Sequence, residues 1–221
     1  MKVLLIGGGD IRKEETKDID KFAINVLDKN QPNILFIPAA ANDHEGYIKS
    51  FKLYYESLGA KVSVAKLHSE HIADIITKIE RSDAIYLSGG DPKVLMDKIL
   101  ELKLKKIFSE YKGLIIGYSA GAMVLGKFFN NSENIDNFKK NDITIFEGLN
   151  IVENTVIEPH FTKNNRKEFL LITSQDKCKL CGLDDNTALF IDLDKRQKIG
   201  EGNIFLGKND VFDIKKGDNY E

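Results

Sequence analysis

The chain has 221 residues, with 32 Lys and Arg against 34 Asp and Glu and a formal net charge of −2. That length is ample for one sizeable domain around a buried sheet, and the mixing of charges leaves no electrostatic footprint for nucleic acid. No apolar run approaches the roughly 20 residues needed to cross a bilayer.

Residues 2–6 read as a first strand, which runs into Gly7-Gly8-Gly9-Asp10. The apolar run is too short for a signal peptide, and a glycine turn stands where a cleavable apolar stretch would continue. A dinucleotide fingerprint needs a third glycine at position 12, and Arg12 occupies it. The phosphate-loop pattern is also missing. The turn is therefore expected to line a pocket rim, and no cofactor or metal is expected.

Further strand-like runs follow near 33–37, 61–65, 84–87 and 113–117. Between them Ile19-Phe22-Ala23-Val26-Leu27 and Tyr47-Phe51-Tyr54-Tyr55-Leu58 recur at the spacing of helix faces. Such alternation predicts an α/β fold, a doubly wound and mostly parallel sheet with helices on both faces. The aromatic stripe of the second helix is expected in the core. Pro38-Ala39-Ala40-Ala41-Asn42-Asp43 ends the second strand at the same edge as the glycine turn, as a second wall of the pocket.

The fourth strand ends in Ser88-Gly89-Gly90-Asp91-Pro92. Adjacent glycines let the backbone approach a substrate and aim N–H groups at a carbonyl oxygen. The fifth strand runs into Gly117-Tyr118-Ser119-Ala120-Gly121-Ala122 and then apolar residues at helical spacing. This is the pattern of a nucleophile elbow, in which small residues permit a sharp strand-to-helix turn and the serine hydroxyl stands at a helix N-terminus.

Beyond residue 140 the chain becomes strand-rich, with a helix expected near 165–174 and antiparallel additions to the sheet after 178. Asn154-Thr155-Val156-Ile157-Glu158-Pro159-His160-Phe161 is an extended run. Pro159 biases Glu158 away from helix, so His160 should sit just past a strand. Cys178 and Cys181 form a single Cys-x-x-Cys without the second pair a zinc ribbon needs, and are expected as buried thiols in a reducing cytoplasm. No linker or repeat interrupts the chain, so one domain is expected over 1–221.

In this order, Gly-Gly-Asp, Gly-x-Ser-Ala-Gly-Ala and Pro-His-Phe resemble the serine peptidases that include aspartyl dipeptidase (peptidase E) and cyanophycinase, which share a class I glutamine amidotransferase-like fold. The resemblance runs from the first strand to Gly182-Leu183-Asp184-Asp185-Asn186-Thr187-Ala188-Leu189. It implies Ser119 as nucleophile, His160 as general base, and the N–H groups of Ala120 and of Gly89 or Gly90 as oxyanion hole. It places the third acid in the loop after the nucleophile helix, where Glu133 and Asp136 both qualify; Glu158 is another option.

The substrate is expected to be a small peptide cleaved beside an acidic residue. Lys163 and Arg166 could grip its carboxylate, and Asp91 belongs to the same binding edge. A cyanophycinase-like isopeptidase is the alternative, although only Arg166 survives of the Arg-x-Arg-x-x-Arg pattern, with Asn164 and Phe169 at the other two positions. An inactive amidotransferase-like binding module is a third possibility. An ammonia-transferring amidotransferase would carry cysteine where Ser119 stands. The protein is expected to act as a monomer or homodimer.

Overall fold

A computed structural model gives the architecture and describes residues 1–41, 44–130, 145–161, 178–193, 195–207, 212–213 and 219–220. The helix expected at 165–174 lies outside them. The first half alternates strand and helix: β1 Lys2–Ile6, α1 Lys17–Asn25, β2 Asn33–Ile37, α2 His44–Ser57, β3 Lys61–Val64, α3 Ile72–Glu80, β4 Ala84–Leu87, α4 Pro92–Glu101, α5 Lys105–Glu110, β5 Leu114–Tyr118 and α6 Ala120–Leu125. Short strands follow: β6 Phe128–Asn130, β7 Ile145–Glu147, β8 Thr155–Glu158, β9 Lys179–Leu183, β10 Thr187–Asp192, β11 Lys195–Gly200, β12 Ile204–Gly207, β13 Phe212–Asp213 and β14 Asn219–Tyr220.

Among the described residues the strands form two sheets. The larger has the order β14-β11-β10-β1-β5-β4-β2-β3. Its β1, β5, β4, β2 and β3 are parallel, and β10 joins β1 antiparallel. The antiparallel additions expected from the sequence are β10, β11 and β14. The smaller sheet, β13-β12-β9-β8-β6-β7, was not legible as a separate unit.

Both faces of the large sheet are covered, which is why its central strands are continuously apolar. Side chains alternate between faces. Leu5, Leu35, Ile85 and Ile115 pack with Leu95, Ile99 and Phe108 on one side. Leu4, Ile34, Phe36, Tyr86 and Ile116 pack with Ile19, Phe51 and Tyr55 on the other. The aromatic stripe of α2 is core, with Phe51 stacked on Phe36 at 3.8 Å and on Tyr55 at 4.4 Å between ring centroids. Cys178 and Cys181 are buried, and burial pushes the Cys181 thiol up to about 12, so that thiol is inert.

A carboxyl group is sunk beside this second layer. Asp20 is fully buried and accepts hydrogen bonds from the hydroxyls of Thr16, Tyr54 and Tyr55. Burial raises its pKa above 3.8, and the three hydroxyl bonds only partly oppose that. The native state thus keeps a proton at pH values where the unfolded chain has lost it. Stability therefore falls as pH rises from the ordinary carboxylate value to the raised one, and then levels off. Asp20→Asn removes this dependence. Between about pH 4 and about pH 7 the variant should gain stability relative to the parent, as read by thermal unfolding; a constant difference would show that Asp20 does not titrate in this window.

Candidate active site

The loops after β1, β4, β5 and β8 and the β9–β10 turn converge where the two sheets meet. At the end of β5 the chain turns directly into α6, and Ser119 takes φ 49°, ψ −111°. That is the strained conformation expected of a nucleophile elbow. The flanking glycines are required by contact. A Cβ on Gly117 would lie 2.7 Å from Ala122 Cα, and one on Gly121 would lie 2.2 Å from the Leu87 carbonyl oxygen.

Ser119 Oγ stands 3.0 Å from His160 Nε2. His160 Nδ1 is 2.6 Å from Asp185 Oδ1. With its proton on Nδ1, donated to the carboxylate, the imidazole keeps the Nε2 lone pair free to accept the serine hydrogen. His160 and Asp185 are about half exposed, with side-chain accessibilities of 52% and 58%, so the site is open to substrate.

The first glycine turn holds all three segments together. Ser119 N–H donates to the Ile6 carbonyl at 3.0 Å, His160 N–H to Gly7 at 3.1 Å and Asn186 N–H to Gly8 at 3.0 Å. Three consecutive carbonyls at the end of β1 thus anchor the three residues or their neighbours. A Cβ on Gly8 would lie 2.1 Å from Asp185 Oδ1 and 2.3 Å from His160 Cε1. The turn expected to be a pocket rim is the seat of the His–Asp pair. Gly8→Ala must displace that pair, so turnover should fall about a hundredfold, the scale of a 1 Å misplacement. Steady-state kinetics on a peptide the parent cleaves tests this, and full activity in the variant would mean the seat can move without consequence.

The glycines after β4 lie beside Ser119. A Cβ on Gly89 would be 3.5 Å from Ser119 Cβ and 2.9 Å from the Tyr118 ring. Gly90 has φ +130°, and a Cβ there would sit 1.7 Å from the Ala40 carbonyl oxygen. Ala120 opens α6, and among the described residues neither its N–H nor those of Gly89 and Gly90 donate a backbone hydrogen bond. These groups can receive a developing negative charge. Asp91, expected at the substrate, is the N-cap of α4. Its Oδ1 accepts from Lys93 N–H at 2.8 Å and Val94 N–H at 3.1 Å, and its own N–H donates to Ala40 at 2.8 Å, which fixes the glycine loop.

Glu133, Asp136, Lys163 and Arg166 lie outside the described residues. The acid found at His160 Nδ1 is Asp185, which sequence reasoning passed over in favour of those loop acids. Glu158 is buried on β8, one strand-end before His160. The signal for Asp185 was present as Asp-Asp-Asn at a strand end, a turn in which Asn186 adopts φ 56°.

The model of peptidase family S51 matches residues 3–199. The chain belongs to peptidase family S51. It is a serine-type peptidase, in agreement with the resemblance drawn from the elbow and histidine motifs. An uncharacterized peptidase of Listeria monocytogenes is 28% identical over 167 residues, covering 72% of this chain and 81% of the relative. An uncharacterized peptidase of Bacillus subtilis is 29% identical over 126 residues, covering 55% of each. The fold is similar to a crystal structure of a candidate peptidase E protein from Listeria monocytogenes EGD-e. Its TM-score is 0.65 at 20% identity, over 90% of this chain and 98% of that one.

Proposed function

We propose that this S51 peptidase hydrolyses short peptides beside an acidic residue through an acyl-enzyme, with Ser119 as nucleophile, His160 as general base and Asp185 as the acid that orients it. The observation that carries the reading is the Ser119–His160–Asp185 hydrogen-bond chain, joined to the strained backbone at Ser119.

Ser119 Oγ attacks the scissile carbonyl carbon while His160 Nε2 takes the hydroxyl proton. The carbonyl oxygen becomes an oxyanion and accepts hydrogen bonds from Ala120 N–H and from Gly89 or Gly90 N–H. The imidazolium, steadied by Asp185, then returns the proton to the leaving nitrogen, and the C–N bond breaks to leave an ester on Ser119. Water attacks that ester with His160 again as base, which frees the acid product and restores the hydroxyl. Family membership supports the peptidase class. The preference for an acidic residue extends it by resemblance to aspartyl dipeptidase.

A fluorophosphonate probe tests the nucleophile directly, because only an activated serine reacts. Labelling confined to Ser119, together with cleavage of Asp-containing members of a dipeptide library, is the expected result. A protein that labels but cleaves neutral dipeptides equally well would keep the nucleophile and lose the specificity. One that does not label would be a binding module.

A further inference from the structure

A cavity of about 630 Å³ is lined by, among others, Gly9, Asp10, Arg12, Tyr47, Ser50 and Tyr118. Its size is that of a ligand pocket. Two of its walls are continuous with the catalytic machinery. Tyr118 immediately precedes the nucleophile, and Gly9 follows the glycine on which the His160–Asp185 pair sits. The Tyr118 hydroxyl donates to the Gly9 carbonyl, so these walls are tied together. Burial and the nearby Asp185 charge push the Tyr118 hydroxyl up to about 12, so it stays a neutral donor.

Asp10 and Arg12 are the charged groups among the described lining residues, with Lys13 and Glu15 next to them in the turn. Asp10 accepts from Arg12 Nε at 3.1 Å and from Arg12 Nη2 at 3.2 Å. Lys13 Nζ lies 3.8 Å from the same carboxylate, and Glu15 accepts the Asp10 N–H at 2.7 Å. Guanidinium carries five N–H donors. The grip on Asp10 uses two of them and fixes the plane, which leaves two parallel N–H groups on the Nη1–Nη2 edge for a second acceptor. The Arg12 side chain is 77% exposed, so that edge can be reached from solvent. A held, planar, permanently charged fork is suited to pairing with a carboxylate.

We propose that this cavity takes the carboxylate-bearing residue of the substrate and that Arg12, braced by Asp10, reads the acid. The inference rests on the peptidase reading above and assigns its specificity to the turn after β1. Competition against fluorophosphonate labelling of Ser119 in the full chain tests it, with N-acetyl-aspartate as the acidic probe and its neutral diamide as the control. The acid should slow labelling of the parent and the diamide should not. In Arg12→Met the half-protecting concentration should rise about ten- to a hundredfold, the range expected for losing a charge-assisted bond. Arg12→Lys should give a smaller rise, because it keeps the charge and loses the fork.

Equal protection of the parent and Arg12→Met would overturn the assignment, as would a loss seen only in Arg166→Met. So would an acid that does not protect the parent. Absence of labelling in the parent is a different failure: it removes the nucleophile, and the inference falls with it.

Discussion

If Ser119 is the nucleophile proposed above, Ser119→Ala lowers turnover by at least about a thousandfold, because the variant has no hydroxyl to form the acyl-enzyme and only binding and the proposed oxyanion donors remain. The fold should survive. Among the described residues Ser119 makes no side-chain bond to the helix it caps, and its hydroxyl bonds to the half-exposed His160. Alanine takes the same positive φ with no more strain than serine. Thermal unfolding should therefore shift by no more than about 0.5 kcal/mol equivalent, and fluorophosphonate labelling should vanish. Retained turnover on a peptide the parent cleaves would refute the mechanism outright, whereas loss of activity together with unfolding would say nothing special about the hydroxyl. The comparison of rate with stability therefore decides the matter.

Much of this architecture was legible because the central strands are buried on both faces and read as continuous apolar runs. Residues 2–6, 33–37 and 84–87 matched their strands at both ends, and the run at 113–117 lay one residue early of Leu114–Tyr118. The elbow was legible because its glycines are fixed by contact, at Ala122 for Gly117 and at Leu87 for Gly121. The small second sheet was not legible. Its β6 and β8 are three and four residues long, and a strand of that length does not encode whether it pairs with the large sheet or with its own neighbours.

The same limit hid the third acid. Asp185 is 25 residues from His160 in the chain. It reaches the histidine because β10 pairs antiparallel with β1, with Ile6 opposite Ala188, and that register delivers the preceding turn to Gly7 and Gly8. Strand register is a long-range outcome that local composition does not carry. The function of the glycine turn was hidden with it, since Gly8 is required only by side chains that arrive from elsewhere.

Asp185→Asn separates the acid seen in the structure from those suggested by the family's loop. Its turnover should fall about ten-thousandfold, with little change in KM. The carboxylate accepts the Nδ1 proton and steadies the imidazolium, and asparagine does neither well. An amide N–H turned toward Nδ1 also favours the tautomer protonated on Nε2, which cannot take the serine hydrogen. Asp185 is 58% exposed in its side chain, so the substitution should leave unfolding nearly unchanged. Glu133→Gln and Asp136→Asn serve as the comparison, each expected to keep turnover within a few-fold of the parent. If either collapses activity while Asp185→Asn retains it, the orienting acid belongs to the loop after the nucleophile helix. If Asp185→Asn alone collapses it, the acid enters from the β9–β10 turn. The elbow and the histidine are then completed by a residue that reaches them only through the pairing of the two antiparallel strands β1 and β10.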